Sequence, residues 1–386
     1  MNKKKGVIIV GTILGVLILV AAFIIIQGNV TKGEKQWNSA VEENKELQDK
    51  LNKELDNICS ENKINGTSYR IETVDGTFKW SHASGKMQVD TQYALASITK
   101  MYTTAVMLKL SDEGKVNLDD TIDKYLSNDI VDKLHVYNGV DYSHKITVNQ
   151  LMSHTSGLPD YGSEDLKGQP SVGYIVQNIR DYAYDFSELI NRTKNLTPHF
   201  APGTEGKAYY SDGNFQLLGK IIEKVTSLDL SEAYKKYIFQ PLSLKKTYLS
   251  EKGMKWDIQL VEFPRGLTGR PLSNASGRST GGMVSNTSDN MIFLKAFFNG
   301  KLFDKAHLSK MQNFNDIEPT PLKYGTGLME CNLEYELIGH MGSLGTLAFY
   351  CPEKKLYIVG STNNCDTKQT LQVAYQLIDC YDKYNK

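Results

Sequence analysis

At 386 residues the chain is long enough for one large domain or two, each with a core of its own. Lysine plus arginine (44) equals aspartate plus glutamate (44), so the net charge is zero and no basic excess points to nucleic acid. The seven histidines never recur at i, i+3 or i, i+4, and Cys59, Cys331, Cys351, Cys365 and Cys380 form no Cys-x-x-Cys pair. Metal chemistry is therefore disfavoured, and no motif asks for a cofactor.

Residues 1–5 form a short tail with three lysines, and residues 6–26 follow without a single charge. As a helix that run would span roughly 32 Å, enough to cross the hydrocarbon core of a bilayer. It does not stop at Ala21-Ala22, where a cleavable signal would end, so the expectation is an uncleaved single-pass anchor. The lysines place 1–5 in the cytoplasm and the remaining chain outside the cell membrane, at the bacterial surface. There cysteine pairs can form, and an odd count leaves at least one thiol free or intermolecular.

Residues 27–63 read as a juxtamembrane linker and helix. Within them 34–57 carry a loose apolar stripe that includes Leu47, Leu51 and Leu55. Asn44 and Glu54 interrupt the seam, which favours a helix packed on its own domain over a stalk that pairs with another chain. Residues 64–386 read as the main domain. Ser68 to Val74 and Thr77 to His82 form a hairpin around Asp75-Gly76. A helix runs from Ser97 to about Asp112. Helices are expected over 118–125, 148–153, 174–191 and 215–224, then strands over 325–331, 334–338, 345–351 and 356–361, and a closing helix over 370–384. Strands at both ends and helices between them imply an α/β fold. One antiparallel sheet is built from both ends and flanked by helices, a mostly helical subdomain lies beside it, and the site falls where the two meet.

Ser-x-x-Lys occurs three times, at Ser60/Lys63, Ser97/Lys100 and Ser243/Lys246. Only the middle copy leads into a sustained apolar run. Three residues apart on a helix, Ser97 and Lys100 share a face, and a lysine so placed can activate a serine nucleophile. The bland alternative for Ser97 is a helix N-cap. Gly277-Arg-Ser279-Thr-Gly281 matches the nucleophile elbow, but Arg270 to Ser276 before it reads as loop, which is the wrong context. Two further stretches suit a Ser/Lys site. Tyr210-Ser-Asp212 opens the helix at 215 and offers a proton-shuttling phenol if neighbouring cations lower its pKa. His340-Met-Gly342 sits on a strand whose glycines permit close approach of another backbone; the alternative for His340 is a buried, hydrogen-bonded histidine.

Ser97-Ile-Thr-Lys100, Leu151-Met-Ser-His-Thr-Ser-Gly-Leu-Pro159, Pro202-Gly-Thr204, Tyr210-Ser-Asp212 and His340-Met-Gly342 stand in an order that resembles the serine β-lactamase/D-alanyl-D-alanine carboxypeptidase superfamily, in its class C-like branch. The resemblance covers about residues 64–386. It implies Ser97 as the acylated nucleophile, Lys100 as its activator, Tyr210 as general acid/base and His340 as electrostatic support for Tyr210. Backbone N–H groups of Ser97 and Ser343 would form the oxyanion hole, with Asp212 and Gly342 beside the substrate. His154 and Pro159 match a stretch that is structural in the family. Three positions depart from its pattern. Asp212 stands where asparagine is frequent, and would pair with Lys100 and shift proton transfer toward Tyr210. Met341 replaces a common threonine. No arginine follows Arg278, which leaves Lys323 as a substitute charge for a substrate carboxylate. The substrates implied are peptidoglycan peptides, D-alanyl esters such as those on teichoic acid, or β-lactam-like small molecules. A β-lactam sensor or a non-catalytic scaffold is the reading from a different class.

Overall fold

A computed structural model describes residues 44–259, 261, 263, 269–320 and 322–385. The expected tail and anchor at 1–26 lie outside these residues, as does the linker to residue 43. Among the described residues no helix is long and apolar enough to cross a membrane.

The first described element is helix α1 (44–61), followed by strands β1 (Gly66–Thr73) and β2 (Lys79–Gly85). After β3 (Tyr93–Ala94) comes α2 (Thr99–Asp112). The helical part contains α3 (Val148–Met152), α4 (Val172–Asn178), α5 (Phe186–Asn195) and, after β4 (Ala208–Tyr209), α6 (Asp212–Thr226). Strand β5 (Tyr248–Leu249), α7 (Pro271–Gly281), β6 (Met283–Ser285) and α8 (Thr287–Phe298) lead back to the sheet. The chain then adds β7 (Asn315–Glu318), β8 (Lys323–Tyr324), β9 (Met329–Asn332), β10 (Glu336–Gly342), β11 (Thr346–Cys351) and β12 (Leu356–Ser361), and closes with α9 (Thr367–Tyr384).

The main sheet has nine strands in the order β2-β1-β12-β11-β10-β9-β8-β7-β4. Every pairing is antiparallel except β4 with β7. It is therefore assembled from both ends of the chain: Ser68 on β1 faces Ser361 on β12. Alternation along the strands sends side chains to two covered faces. Leu347, Phe349 and Ile358 pack with Leu47, Leu51 and Leu55 of α1 and Leu377 and Ile378 of α9. Ala348, Tyr357 and Val359 point the other way, into the core shared with α2, α6 and α8.

Helix α1 thus lies on the sheet of its own domain, with Leu51 and Leu55 fully buried. Three local expectations need correction. The 118–125 helix is reduced to a single 3₁₀ turn at Ile122–Lys124. The long helix over 174–191 is two helices, because Asp185 caps a new one by accepting from the Glu188 N–H. Arg270 to Ser276 is not loop: Pro271 takes the first helical position of α7, where its missing N–H costs nothing. Among the described residues the five cysteines, whose pairing the sequence leaves open, form no disulfide.

Candidate active site

Ser97 sits in a 3₁₀ turn (Ala96–Ile98) that feeds directly into α2. Its side chain caps neither helix start. Its hydroxyl instead accepts a hydrogen bond from Lys100 Nζ at 3.1 Å. The turn is held in an uncommon shape, with Ala96 at φ 49°. A left-handed non-glycine residue costs about 1–2 kcal/mol and needs neighbours that fix it. Thr346 Oγ1 on β11 donates to the Leu95 carbonyl at 2.8 Å, and the Leu95 N–H donates to Met283 O at 2.9 Å. Gly342 at the end of β10 lets the turn approach: a Cβ there would collide with Thr346 Oγ1 and Leu95 O and lie 3.0 Å from the Ala96 Cβ.

Lys100 is wholly buried. Its ammonium donates to three oxygens: Asp212 Oδ1 at 2.6 Å, Thr280 O at 3.0 Å and Ser97 Oγ. It also lies 4.9 Å from the centre of the Tyr210 ring. The Thr280 carbonyl is the contribution of the Gly277–Gly281 stretch. Ser279 within it is buried and is no exposed nucleophile.

Tyr210 and Asp212 flank the start of α6, and Tyr210 also bonds through its N–H to Glu318 O on β7. The phenol is pushed well above its usual range, chiefly by burial and then by the Asp212 charge, while a hydrogen bond with the Ser97 hydroxyl opposes this. The expectation that cations would depress it is overturned: the nearest cation is spent on Asp212, and the carboxylates prevail. Tyr210 therefore stays protonated.

His340 does not reach Ser97. It is fully buried on β10, with Nδ1 on Met341 O at 2.7 Å and Nε2 on the Tyr324 hydroxyl at 3.1 Å. A carbonyl can only accept, so Nδ1 carries the proton and Nε2 accepts from Tyr324. Burial, reinforced by the Lys100 charge, drives its pKa down to about 3. Its ring centre lies 6.5 Å from that of Tyr210. His340 is thus a buried, neutral histidine bonded to Met341 O and the Tyr324 hydroxyl, and it places no positive charge beside Tyr210 as the expected electrostatic support would require.

Two residues left out of the sequence-based site belong beside it. His154 stacks on Tyr210 at 4.4 Å, and its Nδ1 accepts from the Ser211 N–H and Asn214 Nδ2. It holds the Tyr210–Asp212 loop, and its φ of 58° is a feature no pattern announces. Asp160 is 5 % exposed and faces Asp212. Asp160 follows a proline and stands two residues before a glycine, a pattern that reads as a turn, so its burial at the site was hidden.

Ser97, Tyr210, Asp212, Asp160 and Ser343 all line one cavity of about 380 Å³. Gly342 lies just behind its wall. Lys323 does not line it and lies 3.6 Å from Glu330 as an ion pair. One arginine, Arg270, does line the cavity; it lies upstream and donates from Nε to Val176 O and from Nη1 to Gly269 O.

A serine whose oxygen is bonded by a buried lysine, with a protonated tyrosine beside it in a cleft between sheet and helices, defines a serine acyl hydrolase site. The β-lactamase family model matches residues 59–382, and the chain belongs to that family, within the β-lactamase/penicillin-binding-protein superfamily of serine hydrolases. Protein flp of Staphylococcus aureus (strain MW2) is 28% identical over 275 residues, which is 69% of this chain and 51% of the relative. A putative D-alanyl-D-alanine carboxypeptidase of Escherichia coli O157:H7 is 31% identical over 173 residues, 44% of this chain and 37% of the relative. The chain thus spans about half the length, or less, of these curated relatives. The solved structure of a D-stereospecific amidohydrolase from Streptomyces sp. superposes with a TM-score of 0.70 at 28% identity, covering 84% of this chain and 97% of the other.

Proposed function

We propose that the protein hydrolyses D-alanyl ester or amide bonds of the cell envelope through an acyl-enzyme on Ser97, with ester substrates such as D-alanylated teichoic acid favoured. The observation that carries the proposal is the Lys100 ammonium bridging Ser97 Oγ at 3.1 Å and Asp212 Oδ1 at 2.6 Å beneath an open cavity. Ser97 Oγ attacks the carbonyl carbon, and its proton passes to the Tyr210 oxygen while Tyr210 gives its own proton to the leaving oxygen or nitrogen. No free phenolate forms, so the raised Tyr210 pKa is no obstacle. Lys100 stays paired with Asp212 and stabilises the charge that develops on Oγ. Water then attacks the Ser97 ester by the same relay, releasing the acid and restoring Ser97. The likeness to a D-stereospecific amidohydrolase supports a D-configured acyl group.

The reading as a D-alanyl-D-alanine carboxypeptidase is favoured by one relative's description and by Arg270 in the cavity wall. It is weakened because two of the three Arg270 guanidinium nitrogens, Nε and Nη1, are committed to backbone carbonyls, which leaves only the buried Nη2 to meet a carboxylate. Anchoring of the domain outside the cell membrane by residues 6–26 belongs to the same proposal. The test is to incubate the full-length chain and its Ser97→Ala variant with a D-alanyl glycerol ester, a D-Ala-D-Ala peptide and a fluorescent penicillin, following hydrolysis and the mass of the protein. Ester turnover with an adduct confined to Ser97 is expected. No turnover and no adduct with any of them would overturn the proposal, and faster cleavage of the peptide would favour the carboxypeptidase.

A further inference from the structure

Gly277-Arg278-Ser279-Thr280-Gly281 holds no exposed nucleophile, yet its backbone departs sharply from the helix around it. Within α7, Arg278 stands at φ 39° and ψ −117°. That is the mirror of the extended region, which glycine enters freely and a side chain on Cβ opposes. Such strain persists only where the surroundings over-determine it, and it points to function once what it holds is identified. What Arg278 holds is the pair of carbonyls that follow it. Ser279 O accepts from Thr103 Oγ1 at 2.7 Å, and Thr280 O accepts from Lys100 Nζ at 3.0 Å. Thr103 and Lys100 lie three residues apart on α2, so the kink lays two successive carbonyls along one face of the helix that carries the site.

The same kink is fastened by α6 along positions 216, 219 and 223, which share one helical face. Gln216 Nε2 donates to Ser276 O and Gly277 O, both at 3.2 Å, just before the kink. Gly219 lets it approach: a Cβ there would lie 2.3 Å from Ser279 Oγ. Arg278 Nη2 then bridges Glu223 Oε1 at 3.0 Å and Asp229 Oδ2 at 3.2 Å. Helix α6 begins at Asp212, the carboxylate on Lys100. One helix thus carries the direct partner of that ammonium at its start and the anchor of Arg278 roughly 16 Å further on.

We propose that Arg278 is a positioning residue for acyl transfer: its bent backbone aims Thr280 O at Lys100, and its guanidinium, tied to Glu223 and Asp229, keeps that bend. The inference rests on the acyl-hydrolase function proposed above. Asp212 Oδ1, Thr280 O and Ser97 Oγ together use the three N–H bonds of the Lys100 ammonium. Withdrawing Thr280 O frees the ammonium to turn from Ser97 toward Asp212, and the charge that develops on Ser97 Oγ loses part of its support. Arg278 itself opens onto a separate groove with Lys220 and Glu223, and does not line the cavity that holds Ser97. Its effect should therefore fall on kcat and not on KM.

Two rates test this on the full-length chain and on its Arg278→Ala and Arg278→Gly variants, with melting temperatures recorded alongside. One is hydrolysis of a D-alanyl glycerol ester. The other is labelling of Ser97 by a fluorophosphonate, in which Oγ bonds phosphorus while fluoride and the hydroxyl proton leave, followed by protein mass. Alanine removes the clamp and keeps the strain, so kcat and the labelling rate should each fall about tenfold at unchanged KM. Glycine removes the clamp but adopts the bend without strain, so both rates should stay within about threefold of the wild type. A residue needed only for stability would lower the melting temperature in both variants and leave the rates of the folded protein alone. Glu223→Gln combined with Asp229→Asn breaks the clamp without touching the kink; it should match Arg278→Ala, and carries the test if that variant does not fold. Rates unaltered by Arg278→Ala, a rise in KM at constant kcat, or equal losses with alanine and glycine would overturn the proposal. Labelling that follows the expected pattern without ester turnover by the wild type would support it and count against the ester reading. A wild type that neither labels nor turns over ester would overturn both.

Discussion

Replacing Asp212 by asparagine removes the counter-ion of a lysine that has no access to water. Lys100 is wholly buried, and the Asp212 side chain is 30% exposed. Breaking a buried pair from one side costs about 3–5 kcal/mol. Here the loss is smaller: asparagine keeps a carbonyl acceptor, Thr280 O and Ser97 Oγ still accept from Nζ, and partial exposure of Asp212 lets water screen the pair. A destabilisation of roughly 2 kcal/mol remains, which for a domain of this size lowers the melting temperature by about 3 °C. The assay is thermal unfolding of Asp212→Asn, Lys100→Met and the double variant at pH 7. Because the cost of Asp212→Asn arises from an ammonium left uncompensated, adding Lys100→Met should recover part of it. Strict additivity of the two substitutions would refute the argument. Ester hydrolysis by Asp212→Asn should also fall, because the Lys100 ammonium loses the carboxylate that fixes its position beside Ser97.

Gly342→Ala should push the Ala96–Ser97 turn off β10 and cut kcat at least tenfold with little change in the far-ultraviolet spectrum, as measured by ester hydrolysis and circular dichroism; wild-type kcat would refute the packing argument. His340 is neutral in the folded protein, with a pKa near 3, and titrates near 6.5 when unfolded. Protons therefore bind the unfolded state first, and stability falls as pH drops below about 6.5, by roughly 2 kcal/mol from this residue between pH 6.5 and 5. His340→Gln should flatten that part of a melting-temperature profile, and an unchanged slope would show that His340 is not the source. Leu51→Ala on α1 should cost about 2–5 kcal/mol, because the side chain is fully buried against the sheet. Denaturant unfolding reads this directly, and a change below 1 kcal/mol would mean that α1 is peripheral.

Strand and helix periodicity made the sheet legible. The strands over 345–351 and 356–361 and the closing helix appear within a few residues of their expected places, because each alternates or repeats cleanly between two covered faces. The pairing of Ser97 with Lys100 was legible from the three-residue spacing together with the apolar run that sets this Ser-x-x-Lys apart from the other two. What stayed hidden depends on long-range contact. His154 and Asp160 lie on a loop whose glycine and proline announce a turn and nothing more; only the return of α6 makes them neighbours of Tyr210 and Asp212. The family resemblance implies a supporting role for His340, but the Tyr324 hydroxyl one strand beyond β9 captures its ring. The Tyr210 pKa could not be signed from composition, since it depends on which side of Lys100 the carboxylates fall.

The bond from Thr346 Oγ1 to the Leu95 carbonyl joins groups 251 residues apart. A nascent chain therefore carries Ser97 long before it can hold that serine in its reactive shape. The sheet has the same property, since β1 gains its inner neighbour only when β12 emerges. Such distant closures slow folding. They also act as a delay on the chemistry: a partly synthesised chain, or one clipped before β11, presents the nucleophile without the latch that shapes it.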